Sequence, residues 1–337
     1  MKLPEMIHSG HWNGGHCQGI AVDTWRDCIY YSFTTMLVKT DFQGHVLGTV
    51  TGLLGHLGCL AFCQEDGRLY GSLEYKMDAI GKGILQRAGE KEIDDGFYIA
   101  IFDVEKIDMP GLDACRDDVM TAVHLKEVLD DYHGEAENGK LHRHGCSGID
   151  GVTFGPIPGE PNGTKHLFVA YGVYGDVERE DNDYQVILCY DTADWKCYER
   201  PLRQNDMHRF GPEKPLHKYF VHTGNTTYGV QNLEYDPATG DFLMAVYPGK
   251  KPQYENCAMF AVDGSKAAKT EKLQGMSMEG EVLSLKGEGW HFPHGSTGLC
   301  ALGDGQFYVS HHGKDEQGQY TDVYLYQWDG EHPLVKK

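Results

Sequence analysis

Histidine is the residue type in this chain that most invites chemistry. There are 18 of them among 337 residues. Neutral imidazole binds transition metals and titrates near neutral pH, so a convergent set of histidines can hold a metal or move protons. Two stand in matching local contexts, His16 in GHCQGIAVD (15–23) and His56 in GHLGCLAFC (55–63). They are expected to act as metal ligands or proton-transfer groups. Three more, His294, His311 and His312, cluster near the C-terminus, and His144 precedes a third segment of the same kind, SGIDGVTFG (147–155). Glu74 and Asp150 are carboxylates in reach of the same positions. They could complete an oxygen-and-nitrogen metal site, or form the acid pair of a glycoside hydrolase. The residues do not fix a cofactor; a divalent ion such as Zn, Mn, Fe or Ca is one they could take, with His16, His56 and His294 as its ligands.

What must position these groups is a repeat. Five segments align: 15–23 with CIYYSFTT (28–35), 55–63 with RLYGSLEYK (68–76), 147–155 with HLFVAYGVYG (166–175), YGVQNLEYD (228–236) with DFLMAVYPG (241–249), and HGSTGLCAL (294–302) with QFYVSHHG (306–313). Each pair reads as a short apolar strand, a turn rich in Gly and Asp, and a second strand rich in Tyr, Phe and Val. A third strand follows in each unit: MLVKTDF (36–42), YIAIFDVEKI (98–107), QVILCYDT (185–192), CAMFAVDG (257–264) and VYLYQWDG (323–330). The pattern is all-β, with helical periodicity suggested only for 119–133. A five-fold repeat of this length predicts one β-propeller domain of four-stranded antiparallel blades, roughly 13–52, 53–140, 141–205, 222–285 and 290–337. It resembles five-bladed β-propellers in general, over nearly the whole chain. Six or seven blades with one degenerate, or a large sandwich, are the rival architectures. The outer strand of the last blade can come from 333–336 or from 2–7.

The propeller topology places the start of each inner strand, the loop after each second strand and the connection between blades on one face. On that face two columns line the rim: Gln18, Gly58, Asp150, Gln231 and Thr297, and two residues earlier His16, His56, Gly148, Gly229 and Gly295. Long segments, read as 76–96, 108–147, 172–184, 200–227, 248–256, 265–294 and 312–322, are expected to elaborate this face and leave the other plain. Tyr75, Tyr171, Tyr174 and Tyr247 end second strands and are candidates for stacking on a sugar ring or donating a proton. Trp12 and Trp290 are candidate aromatic walls. Gln231, Gln18 and Asp150 are expected to orient the ligand, with His144 and His312 beside them.

Composition narrows the partner. With 50 Asp+Glu against 30 Lys+Arg the net charge is −20, which argues against nucleic acid and anionic membrane surfaces. No apolar run approaches the roughly 18–20 residues of a membrane span. The N-terminal residues lack the order of a secretory signal. The ten cysteines form no CxxC and sit mostly in apolar runs, as expected of buried thiols in a reducing cytoplasm. GKGIL (81–85) reads as a flexible loop without Walker spacing, and EREDND (178–183) as a solvated loop. No GxSxG nucleophile elbow occurs. The leading expectation is an enzyme, a lyase or hydrolase, acting on a small polar ligand such as a carbohydrate or sugar acid. The chemistry would be His-centred acid–base or metal-assisted, with His16, His56, His294, His311, Tyr75 and Tyr171 as catalytic groups. The alternative is a non-catalytic propeller that binds a ligand or protein through the same face.

Overall fold

The computed structural model describes residues 3–337. Five sheets stand in a ring, and each begins with an inner strand: Cys17–Asp23, His56–Cys63, Cys146–Pro156, Thr226–Asp236 and Leu299–Gly303. Contacts link consecutive inner strands, and the last touches the first. The chain is therefore a five-bladed β-propeller. Both faces of most strands are buried, because each blade is sandwiched between two others. The apolar side chains accordingly divide into five clusters, one at each interface between neighbouring blades. In blade 2, for example, Leu69 and Leu73 face blade 1 while Tyr70 faces blade 3, the two-residue alternation of a strand.

Both termini close the ring. Met6–His8 pairs antiparallel with the upper part of Gly318–Gln327, and Val335–Lys336 pairs with the same strand further along. The two ends thus share one edge of blade 5, where the sequence offered them as alternatives. Blade 4 has three regular strands, and single bridges from Leu285 and Trp290 to Val262 and Met259 supply its outer edge.

Several local expectations change. GKGIL lies in a helix, Ala79–Ala88, capped by Asp78 accepting from the Ile80 and Gly81 amides and ended by Gly89 at φ 80°. Within 119–133 the chain first makes the outer strand of blade 2, Met120–His124, and only then a helix, Lys126–His133. The first five residues pair edge to edge with Gly96–Phe102, and that tertiary pairing overrides their helical periodicity. Segment 312–322 is mostly a long hairpin. EREDND is no solvated loop: Arg179 pairs with Asp181, and Lys251 reaches Asp183 and Asn182, all of them buried.

The expected difference between the two faces also fails. Segments 103–119, 191–216 and 263–284 join third to fourth strands or edges, so they leave their blades from the face opposite the histidines. They brace neighbouring sheets: Leu112–Asp113 pairs with blade 1, and the hairpin of Lys269–Lys272 and Glu279–Val282 adds to blade 3. The ten cysteines are free thiols, eight buried, with Cys115 half-buried and Cys197 exposed. No helix among the described residues is long and apolar enough to cross a membrane.

Candidate functional site

The inner strands are not regular where they enter the ring. Pairing slips between Cys17 and Gly19, between Leu57 and Leu60, between Ile149 and Val152, and between Val230 and Asn232. These are β-bulges, which leave a residue unpaired and turn its side chain out of the pleat. The residues inside them are Gln18, Gly58, Asp150 and Gln231 together with Cys59 and Gly151. In blades 1 to 4 the column read from the repeat is thus the bulge column, and the bulges aim Gln18, Asp150 and Gln231 at the mouth of the channel.

At its centre are four charged or ionisable groups from blades 2 and 3. Glu74 ends the second strand of blade 2 and is 3% exposed. Its Oε1 lies 2.5 Å from Lys76 Nζ, and its Oε2 accepts from the Ile149 amide at 3.0 Å. Lys76 also donates to the Ser147 carbonyl at 2.6 Å. His56 Nδ1 stands 3.6 Å from Glu74 Oε1 and 3.7 Å from Asp150 Oδ1, too far for a direct hydrogen bond to either. That nitrogen is buried and has no hydrogen-bond partner. Asp150 Oδ2 accepts from Gln231 Nε2 at 3.1 Å, and the same amide donates to the Tyr228 carbonyl.

Glycine permits this approach. A Cβ on Gly148 would fall 1.9 Å from Glu74 Oε2, and its φ is 128°. A Cβ on Gly58 would meet Asp150 Oδ1 at 2.8 Å. Gly148→Ala is expected to push Glu74 off Lys76 and the Ile149 amide, costing about 1–3 kcal/mol by overpacking. Urea unfolding measures the loss, and a variant as stable as wild type would show that Glu74 does not need this position.

Burial sets the protonation states. Asp150 is pushed well above the ordinary carboxylate range, first by burial and then by the charge of Glu74. Burial raises Glu74 also, against the pull of Lys76 and the Ile149 amide. Burial opposes the charge on Lys76, but Glu74, Asp78 and Asp150 outweigh it and raise the ammonium further. His56 is lowered to about 3 by burial, then by Lys76 and His16. His16 is lowered to about 4 by burial and by His312. At neutral pH His16 and His56 are therefore neutral imidazoles, Lys76 keeps its charge beside Glu74, and burial favours the protonated form of Asp150.

The structure brings together His16, His56, His312, Gln18, Glu74, Asp150, Gln231 and Tyr247. His16 and His312 touch edge to face with ring centroids 5.4 Å apart, and His312 Nδ1 accepts from the Cys17 amide. Gln18 bonds Thr34, and Tyr247 lies beside Ser296 with Asp150 nearby. It places the others elsewhere. His294 and His311 stack on each other at 3.4 Å beside Tyr324 and Tyr326, on the side of blade 5 away from His312. Neighbouring positions on a strand point to opposite sides, which sends His311 and His312 apart. Tyr75 donates to Gln204, and Tyr171 to Asp131, both fully buried. His144 packs on Phe220, and Trp290 stacks on Trp328. The metal set His16, His56 and His294 is accordingly split between two places. Among the described residues, the three-donor group whose ligand atoms lie within 4.8 Å of one another is at the rim of blade 4 instead.

Lys76 was the central residue that sequence reasoning passed over. Its signal was present in LEYK: Glu74 and Lys76 are two apart, so they share a face of the strand.

A scan against protein-family models finds no match, and a search of the curated proteins finds none. Solved structures do match. A GH43 β-1,3-galactosidase with galactodeoxynojirimycin is 9% identical, with 97% of each chain covered and a TM-score of 0.47. The soluble aldose sugar dehydrogenase of Escherichia coli is 7% identical over 98% of this chain and 100% of that one, at 0.38. The PQQ domain of pyranose dehydrogenase from Coprinopsis cinerea is 12% identical over 91% and 81%, at 0.35.

Proposed function

We propose that the protein is an enzyme that cleaves a bond to a sugar oxygen in a small, uncharged carbohydrate at the histidine-bearing mouth. Asp150 is the proton donor. The observation that carries this reading is the pairing of two buried carboxyl groups with opposite partners. Glu74 is tied to a lysine and a backbone amide, whereas Asp150 is hydrogen-bonded by a neutral amide and feels the charge of Glu74 more than that of Lys76. Environments that hold one carboxyl ionised and another protonated define an acid and its counter-charge. Asp150 would protonate the departing oxygen as its bond to the sugar carbon breaks, Glu74 faces the positive charge that develops on the ring, and water adds to that carbon and returns a proton to Asp150. His56 and His16 remain neutral, so they serve as hydrogen-bonding groups that orient hydroxyls. The acid–base work thus passes from the imidazoles to the carboxyls.

Gln18, Gln231, Thr34 and Tyr247 supply further neutral donors and acceptors around the rim, the kind of surface that reads hydroxyl groups. The net charge of −20 disfavours anionic substrates such as sugar acids. The low proton affinity of His56 and His16 also suits the second reading, a propeller that binds such a ligand without turning it over.

The test uses tag-free protein against a panel of neutral 4-nitrophenyl α- and β-glycosides, with melting temperature followed in the corresponding free sugars. Turnover of at least one glycoside is expected, declining on the alkaline side as Asp150 loses its proton. A melting shift with free sugar but no turnover on any member would leave the binding reading. Neither effect from any sugar would remove the carbohydrate from both.

A further inference from the structure

We propose that Glu255, Cys257 and His291 bind a divalent cation of the zinc class at the rim of blade 4, at a second site separate from the mouth. Their donor atoms, one from each residue, all lie within 4.8 Å of one another. Thiolate, imidazole and carboxylate together are a zinc donor set, and donors on one zinc ion are roughly 3.3–3.8 Å apart given bonds of about 2.0–2.3 Å. Closing the remaining distance needs only side-chain rotation. Glu255 and His291 are 65% and 67% exposed, so neither must unpack, while Cys257 is 3% exposed and acts as the fixed anchor.

The backbone holds the donors in register. The Ala258 amide donates to the Trp290 carbonyl at 3.1 Å, and the Trp290 amide to the Met259 carbonyl at 2.9 Å. Cys257 and His291 therefore sit on two antiparallel segments already tied together. Asn256, at φ 56°, fastens the loop by donating to the Lys251 and Tyr254 carbonyls. Glu255 and Cys257 border a cavity of about 450 Å³, lined also by Glu288, Tyr254 and His222. Three protein donors leave the fourth tetrahedral position of the ion open to water or to a ligand oxygen. The ion would clamp the 249–258 loop to the connection that leads into blade 5.

Cobalt is the probe, because a cysteine thiolate bound to Co²⁺ gives a near-ultraviolet charge-transfer band. Tag-free full-length protein, reduced and titrated with Co²⁺, is expected to develop this band at one ion per chain and to lose it when Zn²⁺ is added. C257S should abolish the band, H291A should weaken binding at least roughly tenfold, and C197S, at the exposed cysteine, should leave it intact. D150N should also leave it intact, which separates this site from the mouth. Absence of the band in excess Co²⁺, or its persistence in C257S, would overturn the proposal. If C257S does not fold, the surface variant H291A decides: wild-type cobalt affinity there would overturn it equally.

Discussion

Melting temperature should peak near neutral pH and fall steeply on the acid side, with much of the stability gone by about pH 5. Ten imidazoles among the described residues are held below their ordinary pKa, burial being the first cause in each: His16, His56, His124, His142, His144, His208, His222, His294, His311 and His312. In each case the unfolded chain takes up a proton at about pH 6.5 that the folded chain refuses. Stability from these groups is whole above that pH and drains away as the pH falls toward their folded values, about 3 for His56 and about 4 for His16, His124, His144 and His311.

Three carboxyls work the other way. Glu74, Asp150 and Glu234, the last raised to about 8, are favoured in their protonated form by burial, so their contribution is whole at low pH and lost as pH rises. Each fully displaced group changes stability by about 1.4 kcal/mol per pH unit. Lys76 favours charge on Glu74, so the carboxyls offset only part of what the buried rings His56, His124 and His144 contribute. The remaining, partly exposed rings add to the same sign, and after discounting for solvent screening the net acid slope is on the order of 2–4 kcal/mol per pH unit. Between about pH 6.5 and pH 5 that amounts to roughly 3–6 kcal/mol, a large share of a total stability of about 5–15 kcal/mol. Circular-dichroism melts across the pH range check this. A melting temperature that is flat or rising between about pH 7 and pH 5 would contradict it.

The same histidines show how far the sequence could be read. Repeat alignment found the inner strands, their order and the column Gln18, Asp150 and Gln231, because a strand period and a turn composition are local properties. It also set His16 and His56 in equivalent places on adjacent blades, and in the structure His312 packs against His16. It could not separate His311 from His312 as to destination, since that depends on which blade each side of the strand faces. It put Tyr75 and Tyr171 at the mouth because they end second strands, whereas their side chains turn between blades to reach Gln204 and Asp131. Burial was the other hidden quantity. Imidazoles look like proton carriers in a sequence, but desolvation in the ring of blades lowers the proton affinity of His56 and His16 and raises that of Asp150. The long third-to-fourth connections were assigned to the wrong face because fourth strands such as His217–His222 carry weak signals of their own.

Asp150→Asn is expected to lower turnover of a cleavable glycoside by about 10²–10⁴-fold, the range lost with a positioned general acid. KM should change little, since the amide keeps an oxygen to accept from Gln231 Nε2. The alkaline decline of the wild-type rate should vanish with it, because the residual activity no longer waits on this proton. Stability gives an independent reading with a definite sign. The folded protein keeps the Asp150 proton through a window in which the unfolded chain releases it, from about pH 3.9 upward, so wild type loses stability as the pH climbs through that window. Asn has no proton to lose, so the melting temperature of D150N relative to wild type should grow with pH. The two readouts separate role from environment. A variant that gains relative stability with pH yet turns over normally would show that the carboxyl is buried as inferred but is not the acid. A variant whose relative stability does not change with pH would show that Asp150 is ionised in the fold, and neither its protonation nor its role as donor would survive.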